Sequence, residues 1–286
     1  MRVRIATRSS SQARTQAEVV ADELRAADAS CRPELVFVET LGDQRHDVPL
    51  HTIGGQGVFV KEVQRAVLDG RADLAVHSAK DLPSEQAHGL SIGAFTQRRD
   101  PRDALVGQTL DGLRIGATVA TGSVRRRAQL RVLRPDIHFV ELRGNIHTRL
   151  SKVPDRGAIV MAVAALHILG LTEQIAEAVD IDAMVPAVGQ GCVAIECRDD
   201  DEATRAALAA IDHPATRRAV STERAFLAEL GSGCSLPVGA HVTDGYLVAF
   251  LADDVGRSVQ TTIRLGHDWE LDARQTARAM VAEVER

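Results

Sequence analysis

Long apolar runs and secretory signals are both missing from this 286-residue sequence. No stretch of about 18 consecutive apolar residues occurs, which argues against a transmembrane helix. The N-terminal MRVRIATRSS enters a strand-like pattern directly, rather than an apolar segment with a cleavage site. We therefore expect a cytoplasmic protein with no membrane partner, in which the four cysteines are reduced.

An excess of positive charge is also absent, because 39 acidic residues outnumber 34 basic ones and the net charge is −5. This balance disfavours nucleic acid as the main partner. With 45% hydrophobic and 26% charged residues, the composition is typical of a soluble globular protein. The length predicts two domains or three small ones.

Lysine is the scarcest cation, since only three of the 34 basic residues are lysines. Genomic base composition explains this bias most simply, but a retained lysine is a weak indication that a compact ammonium group is needed. Lys80 stands beside Asp81 in HSAKDLP, directly after the strand-like LAVHS. Loops at the carboxyl ends of parallel strands bind ligands in α/β proteins. A solvated ion pair is the simpler alternative for these two residues.

The cysteines predict no metal site. Cys192 and Cys197 lie five residues apart in the strand-like GCVAIEC, so their side chains face opposite sides of a strand. They cannot hold one metal ion together, and we interpret both as packing residues. Cys234 differs, because GSGCSLPVG places its thiol on a bent, glycine-rich segment. A reactive thiol and an incidental loop cysteine are both compatible with that segment.

Strand and helix patterns alternate twice along the chain, which predicts two α/β units. In the first unit, strands over VRIAT, LVFVET and LAVHS are separated by a helix from Gln12 to about Ala27 and by a second helix that ends at Gly70. In the second unit, strands over RIGAT, HFVEL and AIVMA alternate with helices over SVRRRAQLRVL, near residues 145–151 and up to Leu169.

Changes in composition suggest where the domains begin and end. The charged, proline-containing QRRDPRD separates lobe 1, residues 1–96, from lobe 2, residues 97–189. We expect residues 190–212 to complete lobe 1, and residues 213–286 to form a smaller α+β domain. The polar, glycine-rich segment 42–57 predicts a lid. Two facing α/β lobes enclose a cleft, which is the usual place for a ligand.

Both lobes carry features that favour anions. Ser10 precedes Gln16 by six residues after one strand, and Ser123 precedes Gln129 by six residues after another. Free backbone N–H groups at such helix starts attract negative charge. Guanidinium groups recur at the same turns and suit a ligand with many carboxylates or phosphates, although solvated helix faces are the alternative. These arginines are Arg8, Arg125, Arg126, Arg127, Arg143 and Arg149.

Seven segments of this chain, in this order, resemble the porphobilinogen deaminase (hydroxymethylbilane synthase) family: GGQGVFVKE, HSAKDLP, DPRDALV, TGSVRRRAQL, LRGNIHTRLSK, PAVGQGCVAIECR and GSGCSLPVGA. The resemblance spans about residues 1–242, and the remaining residues are only loosely similar and short for the family. It implies an α/β fold of two periplasmic-binding-protein-like lobes around a cleft, with a smaller C-terminal α+β domain. A monomer is expected.

The resemblance also implies an activity. The chain would deaminate porphobilinogen, join four units head to tail on a covalent dipyrromethane cofactor, and release the linear tetrapyrrole hydroxymethylbilane with water. Cys234 would carry the cofactor through a thioether, and Asp81 would stabilise cationic intermediates. The residues implied in cofactor binding are Lys80, Ser123, Arg125, Arg126 and Gln190. The residues implied in substrate binding are Arg8, Ser10, Arg143 and Arg149.

The sequence departs from the family pattern at four positions. Ile168 in AALHILG stands where relatives usually have arginine, so one contact to a carboxylate is lost. Gly122 stands where the family usually has serine, which removes a hydroxyl donor. Gln12 and Gln56 replace a common leucine and a common lysine. None of these changes affects the expected catalytic carboxylate or the anchoring cysteine.

Two other functions fit part of the sequence. A solute-binding module built from two α/β lobes explains the arginines, but it does not explain Cys234, Asp81 or a third domain. A cysteine hydrolase would pair Cys234 with a histidine, but none of the ten histidines lies in a recognisable partner motif. A covalent adduct of two pyrrole units would occur only in the deaminase.

Overall fold

The computed structural model describes residues 1–40, 60–231 and 237–286. The predicted lid over residues 42–57, which includes Gln56, lies outside the described residues, and so does Cys234.

Strands and short helices alternate through the described residues. The strands are β1 (Arg2–Arg8), β2 (Arg32–Val38), β3 (Leu74–Ser78), β4 (Leu90–Phe95), β5 (Asp103–Gly107), β6 (Thr118–Ala120), β7 (His138–Val140), β8 (Ala158–Ala162), β9 (Glu177–Ala178), β10 (Val193–Arg198), β11 (Val238–Thr243), β12 (Tyr246–Ala252) and β13 (Ser258–Arg264). The helices are α1 (Ser11–Ala27), α2 (Lys61–Leu68), α3 (Val124–Leu133), α4 (Ile146–Leu150), α5 (Val163–Ile168), α6 (Glu202–Ala209), α7 (Pro214–Glu229) and α8 (Trp269–Val284).

The chain forms two compact units. Unit 1 comprises Met1–Arg99 and Cys192–Arg218, and unit 2 comprises Asp100–Gly191 and Ala219–Arg286. Each unit therefore contains two separate stretches of the chain.

Unit 1 is built on a five-stranded sheet in the order β2-β1-β3-β10-β4. Strands β2 and β3 run parallel to β1, whereas β10 is antiparallel to both of its neighbours. Successive side chains of β1 point to opposite faces of the sheet, and both faces are apolar. Ile5 packs in the cluster under α1 and α6, and Ala6 packs in the cluster under α2.

Unit 2 repeats this arrangement with the strand order β7-β6-β8-β5-β9. Strands β7 and β8 run parallel to β6, and β5 is antiparallel to β8 and β9, as β10 is to its neighbours in unit 1. Ile159 on one face packs with Ile146 of α4 and Leu166 of α5. Val160 on the other face packs with Leu130 of α3.

The C-terminal part of unit 2 is a three-stranded antiparallel sheet in the order β11-β12-β13. The two-residue turn between β11 and β12 is Asp244-Gly245, and both residues have positive φ angles, 50° and 77°. This Asp-Gly pair is a preferred sequence for a tight hairpin turn. Phe226 of α7 and Ala277 of α8 pack with Leu247 in one apolar cluster.

The predicted α/β fold with a smaller C-terminal α+β part is confirmed, and the two five-stranded sheets share the same pattern of strand order. One predicted strand, RIGAT, is wrong over most of its length. Ala117 N donates to Arg114 O and Gly116 has a φ of 76°, so these residues form a turn and the strand begins at Thr118. The three domain boundaries and the cleft stay predictions.

Gly157, just before β8, packs against the backbone of β6. A Cβ atom at residue 157 would lie 2.1 Å from the carbonyl oxygen of Thr118, far inside van der Waals contact with an atom that cannot rotate away. We expect Gly157→Ala to lower the free energy of unfolding by about 1–3 kcal/mol, as measured by urea denaturation. Gly266→Ala is the matched control, because the nearest atom to its Cβ is Asp272 Oδ2, at 3.3 Å on a flexible side chain. Equal urea midpoints for the two variants would contradict this account.

Candidate functional site

Asp81 is held at the end of a buried strand. Strand β3 occupies the centre of the unit 1 sheet, and all of its residues before Ser78 are buried. A single 3₁₀ turn, Ala79–Asp81, follows it, and Ala79 N donates to Cys192 O at 2.9 Å. The structure therefore places Asp81 at the carboxyl end of a strand that runs parallel to β1, where α/β sheets commonly bind ligands.

A small cavity of about 50 Å³ lies beside Asp81 within unit 1. Arg8 from the end of β1 and Ser10 from the start of α1 line this cavity together with Asp81. The structure thus brings together three residues for which the family resemblance implies catalysis or substrate binding. Lys80 is half-buried next to Asp81 in the chain and does not line this cavity.

The Asp81 carboxylate is available to a ligand. Within the residues that the structure describes, it makes no hydrogen bond and no ion pair. A fixed carboxylate in this state can accept N–H donors from a ligand and can stabilise positive charge that develops beside it. Ser10 caps α1, because its side-chain oxygen accepts a hydrogen bond from Ala13 N at 3.4 Å.

Three more polar side chains line the same cavity and are joined by hydrogen bonds. The Ser78 hydroxyl donates to Gln16 Oε1 at 3.1 Å, and Gln12 Nε2 donates to Ser78 Oγ at 3.5 Å. Gln16 is buried and Gln12 is half-buried. The wall formed by α1 is therefore polar, and sequence analysis noted Gln12 only as a departure from the family pattern.

A buried polar trio that sequence analysis missed lies next to the cavity. His77, which also lines the cavity, has its Nε2 3.1 Å from Glu196 Oε2, and both side chains are 3% exposed. Gln64 Nε2 donates to both carboxylate oxygens of Glu196, at 3.1 and 2.9 Å. A buried carboxylate needs such partners, and here they join β3, β10 and α2 close to Asp81. In the sequence, an acidic residue inside the otherwise apolar run VAIEC indicates a buried charge that needs partners.

In unit 2, Arg125, Arg126 and Gln190 meet at one carboxylate, that of Asp103. Asp103 begins β5 and is 0% exposed. Arg126 Nε and Nη2 donate to its Oδ1 at 2.9 and 2.7 Å, and Gln190 Nε2 donates to the same oxygen at 3.0 Å. Arg125 Nη1 lies 2.7 Å from Oδ2. Sequence analysis did not single out Asp103, although it belongs to the motif DPRDALV.

This Asp103 cluster remains charged. Burial alone would raise the pKa of the Asp103 carboxyl group, but Arg125 and Arg126 outweigh burial and hold that pKa well below its ordinary value. Burial lowers the pKa of the Arg126 guanidinium against the attraction of Asp103. Two guanidinium groups and one carboxylate leave a net positive charge, which suits an anionic ligand.

Backbone groups fix the orientation of the two arginines. Arg126 Nη1 donates to Val160 O at 2.8 Å, and Arg125 Nη1 donates to Val185 O at 2.6 Å. Ser123 caps α3, since its side-chain oxygen accepts from Arg126 N at 3.4 Å. Hydrogen bonds to its side chains and to its backbone therefore both fix the first turn of α3.

Arg143 and Arg149 lie on a different part of unit 2, the turn after β7 and helix α4. Arg149 Nε donates to Gly144 O at 2.7 Å, and Lys152 Nζ donates to Arg143 O at 3.1 Å. Both arginines are half-buried, and neither is a partner of Asp103 in the described structure. The structure does not join them to the Asp103 cluster.

The structure shows the surroundings of two residues that depart from the family pattern, Gly122 and Ile168. A Cβ atom at Gly122 would lie 3.0 Å from the carbonyl oxygen of Leu142 and 3.2 Å from Glu141 Oε2, so this turn leaves little room for a side chain. Ile168 ends α5 and is half-buried. Within the described residues, it is not a member of the apolar cluster that packs α5 against the sheet.

The remaining cysteines do not form a reactive or metal-binding site. Cys31, Cys192 and Cys197 are buried and form no disulfide within the described residues. Burial raises the pKa of the Cys197 thiol, which disfavours the nucleophilic thiolate. In the described ranges, no three metal-ligating side chains of His, Cys, Asp or Glu come together. No helix in the same ranges combines the length and the apolar character needed to cross a membrane.

Among solved structures, the methionine binding protein MetQ aligns with a TM-score of 0.46 and 14% sequence identity, covering 78% of this chain and 94% of that chain. A similarity of this size supports no conclusion about function.

Family models and curated relatives agree with each other. The model for the porphobilinogen deaminase dipyromethane cofactor binding domain matches residues 3–206, and the model for the C-terminal domain matches residues 218–270. The porphobilinogen deaminase of Trichlorobacter lovleyi is 44% identical over 264 residues, which cover 90% of this chain and 85% of that protein. The porphobilinogen deaminase of Acidothermus cellulolyticus is 50% identical over 247 residues, which cover 83% of this chain and 74% of that protein. This chain belongs to the porphobilinogen deaminase family.

Proposed function

We propose that this chain is a hydroxymethylbilane synthase in which Asp81 is the catalytic carboxylate. The reaction is that of the family: porphobilinogen is deaminated, and four units are joined head to tail into the linear tetrapyrrole used for haem and other tetrapyrroles. The observation that supports the assignment of Asp81 is its position. It follows β3 in the motif HSAKDLP and shares a cavity with Arg8 and Ser10.

The residues present fit the dipyrromethane cofactor of this family, whose two pyrrole rings carry acetate and propionate groups. The Asp103 cluster has a net positive charge and can take up such groups through charge-assisted hydrogen bonds. When bound, the cofactor supplies the ring carbon to which substrate units are added. We assign its binding to Lys80, Ser123, Arg125, Arg126 and Gln190, and its covalent attachment to Cys234.

Substrate recognition depends on the same chemistry. Porphobilinogen carries two carboxylates, so we assign them to Arg8, Ser10, Arg143 and Arg149. Arg8 and Ser10 already stand at the Asp81 cavity. A guanidinium group binds a carboxylate through two parallel N–H donors, which fixes the orientation of the substrate as well as its charge.

Asp81 assists the step in which ammonia leaves. Loss of ammonia breaks the bond between the substrate's methylene carbon and its amine, and the pyrrole nitrogen shares the resulting positive charge. A carboxylate that accepts the pyrrole N–H stabilises this cation more than the neutral substrate, and such differential binding lowers the barrier. Because Asp81 forms no ion pair with the described residues, none has to be broken when it stabilises this cation.

The remaining assignments follow from composition and family. The net charge of −5 supports a protein without a nucleic-acid partner. We propose that the enzyme works as a monomer in the cytoplasm. Family membership favours the deaminase over a solute-binding module and over a cysteine hydrolase.

The covalent adduct tests the function directly. Purified wild-type protein should carry two pyrrole units by intact-mass spectrometry and should convert porphobilinogen to hydroxymethylbilane. Cys234→Ala should fold but carry no adduct, because the thiol is the attachment point. Cys31→Ala is the control and should keep the adduct, since Cys31 is buried. An adduct on Cys234→Ala would assign the anchor to another residue, and absence of turnover by the wild type would refute the function.

Asp81→Asn keeps the shape of the side chain and removes its charge. We expect kcat to fall about 10²–10³-fold, because one preorganised electrostatic partner of the cation is lost. The rate is measured per cofactor-loaded molecule, with loading determined by mass. Glu85→Gln neutralises an exposed carboxylate after the same 3₁₀ turn and should leave the rate unchanged. Near-normal turnover by Asp81→Asn would mean that the stabilising carboxylate lies elsewhere.

Ile168→Arg tests the missing family contact. A hydrogen bond to a charged group contributes roughly 1.5–3 kcal/mol, so the added guanidinium should raise kcat/KM for porphobilinogen by about ten- to a hundred-fold. Partly elongated complexes should become less abundant in native mass spectra. Ile168→Met is the uncharged control and should not change kcat/KM. Unchanged or lower kcat/KM for Ile168→Arg, with a lower melting temperature, would show that the protein has repacked around isoleucine.

A further inference from the structure

The side-chain amide of Gln12 has a carbonyl oxygen, Oε1, that accepts no hydrogen bond from the described residues. Gln12 lies in the first turn of α1 and lines the cavity together with Asp81. Its Nε2 donates to Ser78 Oγ at 3.5 Å. Among the described residues, none donates a hydrogen bond to its Oε1. A carbonyl oxygen without a donor on a cavity wall is a potential binding group, because an amide can use both of its ends.

Neighbouring hydrogen bonds determine which end of the amide is left over. The Ser78 hydroxyl has one proton, and it donates that proton to Gln16 Oε1 at 3.1 Å. Ser78 Oγ can therefore only accept a hydrogen bond from Gln12. The Gln12 amide turns its Nε2 donor towards Ser78, and its Oε1 acceptor is left for the cavity. Gln16, which accepts the Ser78 proton and so fixes this orientation, is only 9% exposed.

We infer that Gln12 Oε1 accepts a hydrogen bond from an N–H group of bound porphobilinogen. The inference rests on the proposed function, which supplies the ligand. Arg8 and Ser10 offer donors to the cavity and suit the substrate's carboxylates, whereas Asp81 and Gln12 offer acceptors. Porphobilinogen has two kinds of N–H donor, the pyrrole nitrogen and the aminomethyl ammonium. Gln12 is thus a second, uncharged acceptor beside the catalytic carboxylate.

Gln12→Leu removes the acceptor and keeps a side chain of similar size. We expect kcat/KM for porphobilinogen to fall about two- to tenfold, which corresponds to one neutral hydrogen bond. A fall in kcat as well identifies the pyrrole N–H, since that group gains positive charge in the transition state. A rise in KM alone identifies the ammonium, if its hydrogen bond is equally strong in the bound substrate and in the transition state. Unchanged kcat and KM would overturn the inference.

Gln12→Glu tests by charge whether residue 12 lies beside Asp81. The variant has the same shape but places a second carboxylate on the cavity. Because like charges disfavour ionisation, the acidic limb of the pH profile of kcat/KM should move upwards by about one pH unit. Arg8 faces the same cavity and Lys80 adjoins Asp81, so their positive charge reduces this shift without reversing its sign. His77, the other titratable group on the cavity, is paired with Glu196.

Ser11→Glu is the matched control, because Ser11 is exposed, precedes Gln12 and does not line the cavity. It should keep the wild-type pH profile. If Gln12→Glu also keeps that profile, residue 12 lies away from Asp81 and the inference is wrong. Melting temperatures of all variants separate unfolding from a local effect. If the wild type does not turn over porphobilinogen, the proposed function is refuted. If the wild type is active and Gln12→Leu has the same kcat and KM, only this inference is refuted.

Discussion

One buried carboxylate, that of Asp103, holds the framework of unit 2 together. It stands at the start of β5 and binds two guanidinium groups from α3 and the amide of Gln190. The guanidinium groups also donate to carbonyl oxygens of Val160 and Val185. Removing one partner of a buried ion pair typically costs about 3–5 kcal/mol, because the remaining charge has no water to solvate it. The contacts that stabilise the sheet therefore also fix the cations proposed to hold the cofactor.

The repeated strand order produces the same kind of serine-capped turn twice. Strands β1 and β6 occupy equivalent positions in their sheets, and each is followed by a helix that a serine caps. Ser10 caps α1 after Arg8, and Ser123 caps α3 before Arg125. Free N–H groups at a helix start and an adjacent guanidinium group both favour negative charge. Topology, rather than extensive internal sequence identity, accounts for this duplication.

Local patterns in the sequence were sufficient to predict the strand-helix alternation, the serines before α1 and α3, and Asp81 at the end of a strand. RIGAT misled the prediction, because alternating apolar residues suggest a strand while Gly116, at a φ of 76°, belongs to a turn. The buried polar groups could not be predicted in this way. Gln64 and Glu196 are 132 residues apart in the chain, and no periodicity reveals which distant partner neutralises a buried charge.

Asp81 and Asp103 are carboxylates in two opposite environments. Asp103 has two guanidinium partners and an amide, and its low pKa keeps it ionised, but its charge is fully engaged within the protein. Asp81 has no partner among the described residues, and the 3₁₀ turn after β3 fixes its place through the backbone. A carboxylate that stabilises a transient cation, the role proposed for Asp81, benefits from a fixed position outside any ion pair, because a paired counter-ion would weaken the field that lowers the barrier. The sheet meets this requirement by positioning Asp81 with hydrogen bonds of the main chain and not with charge.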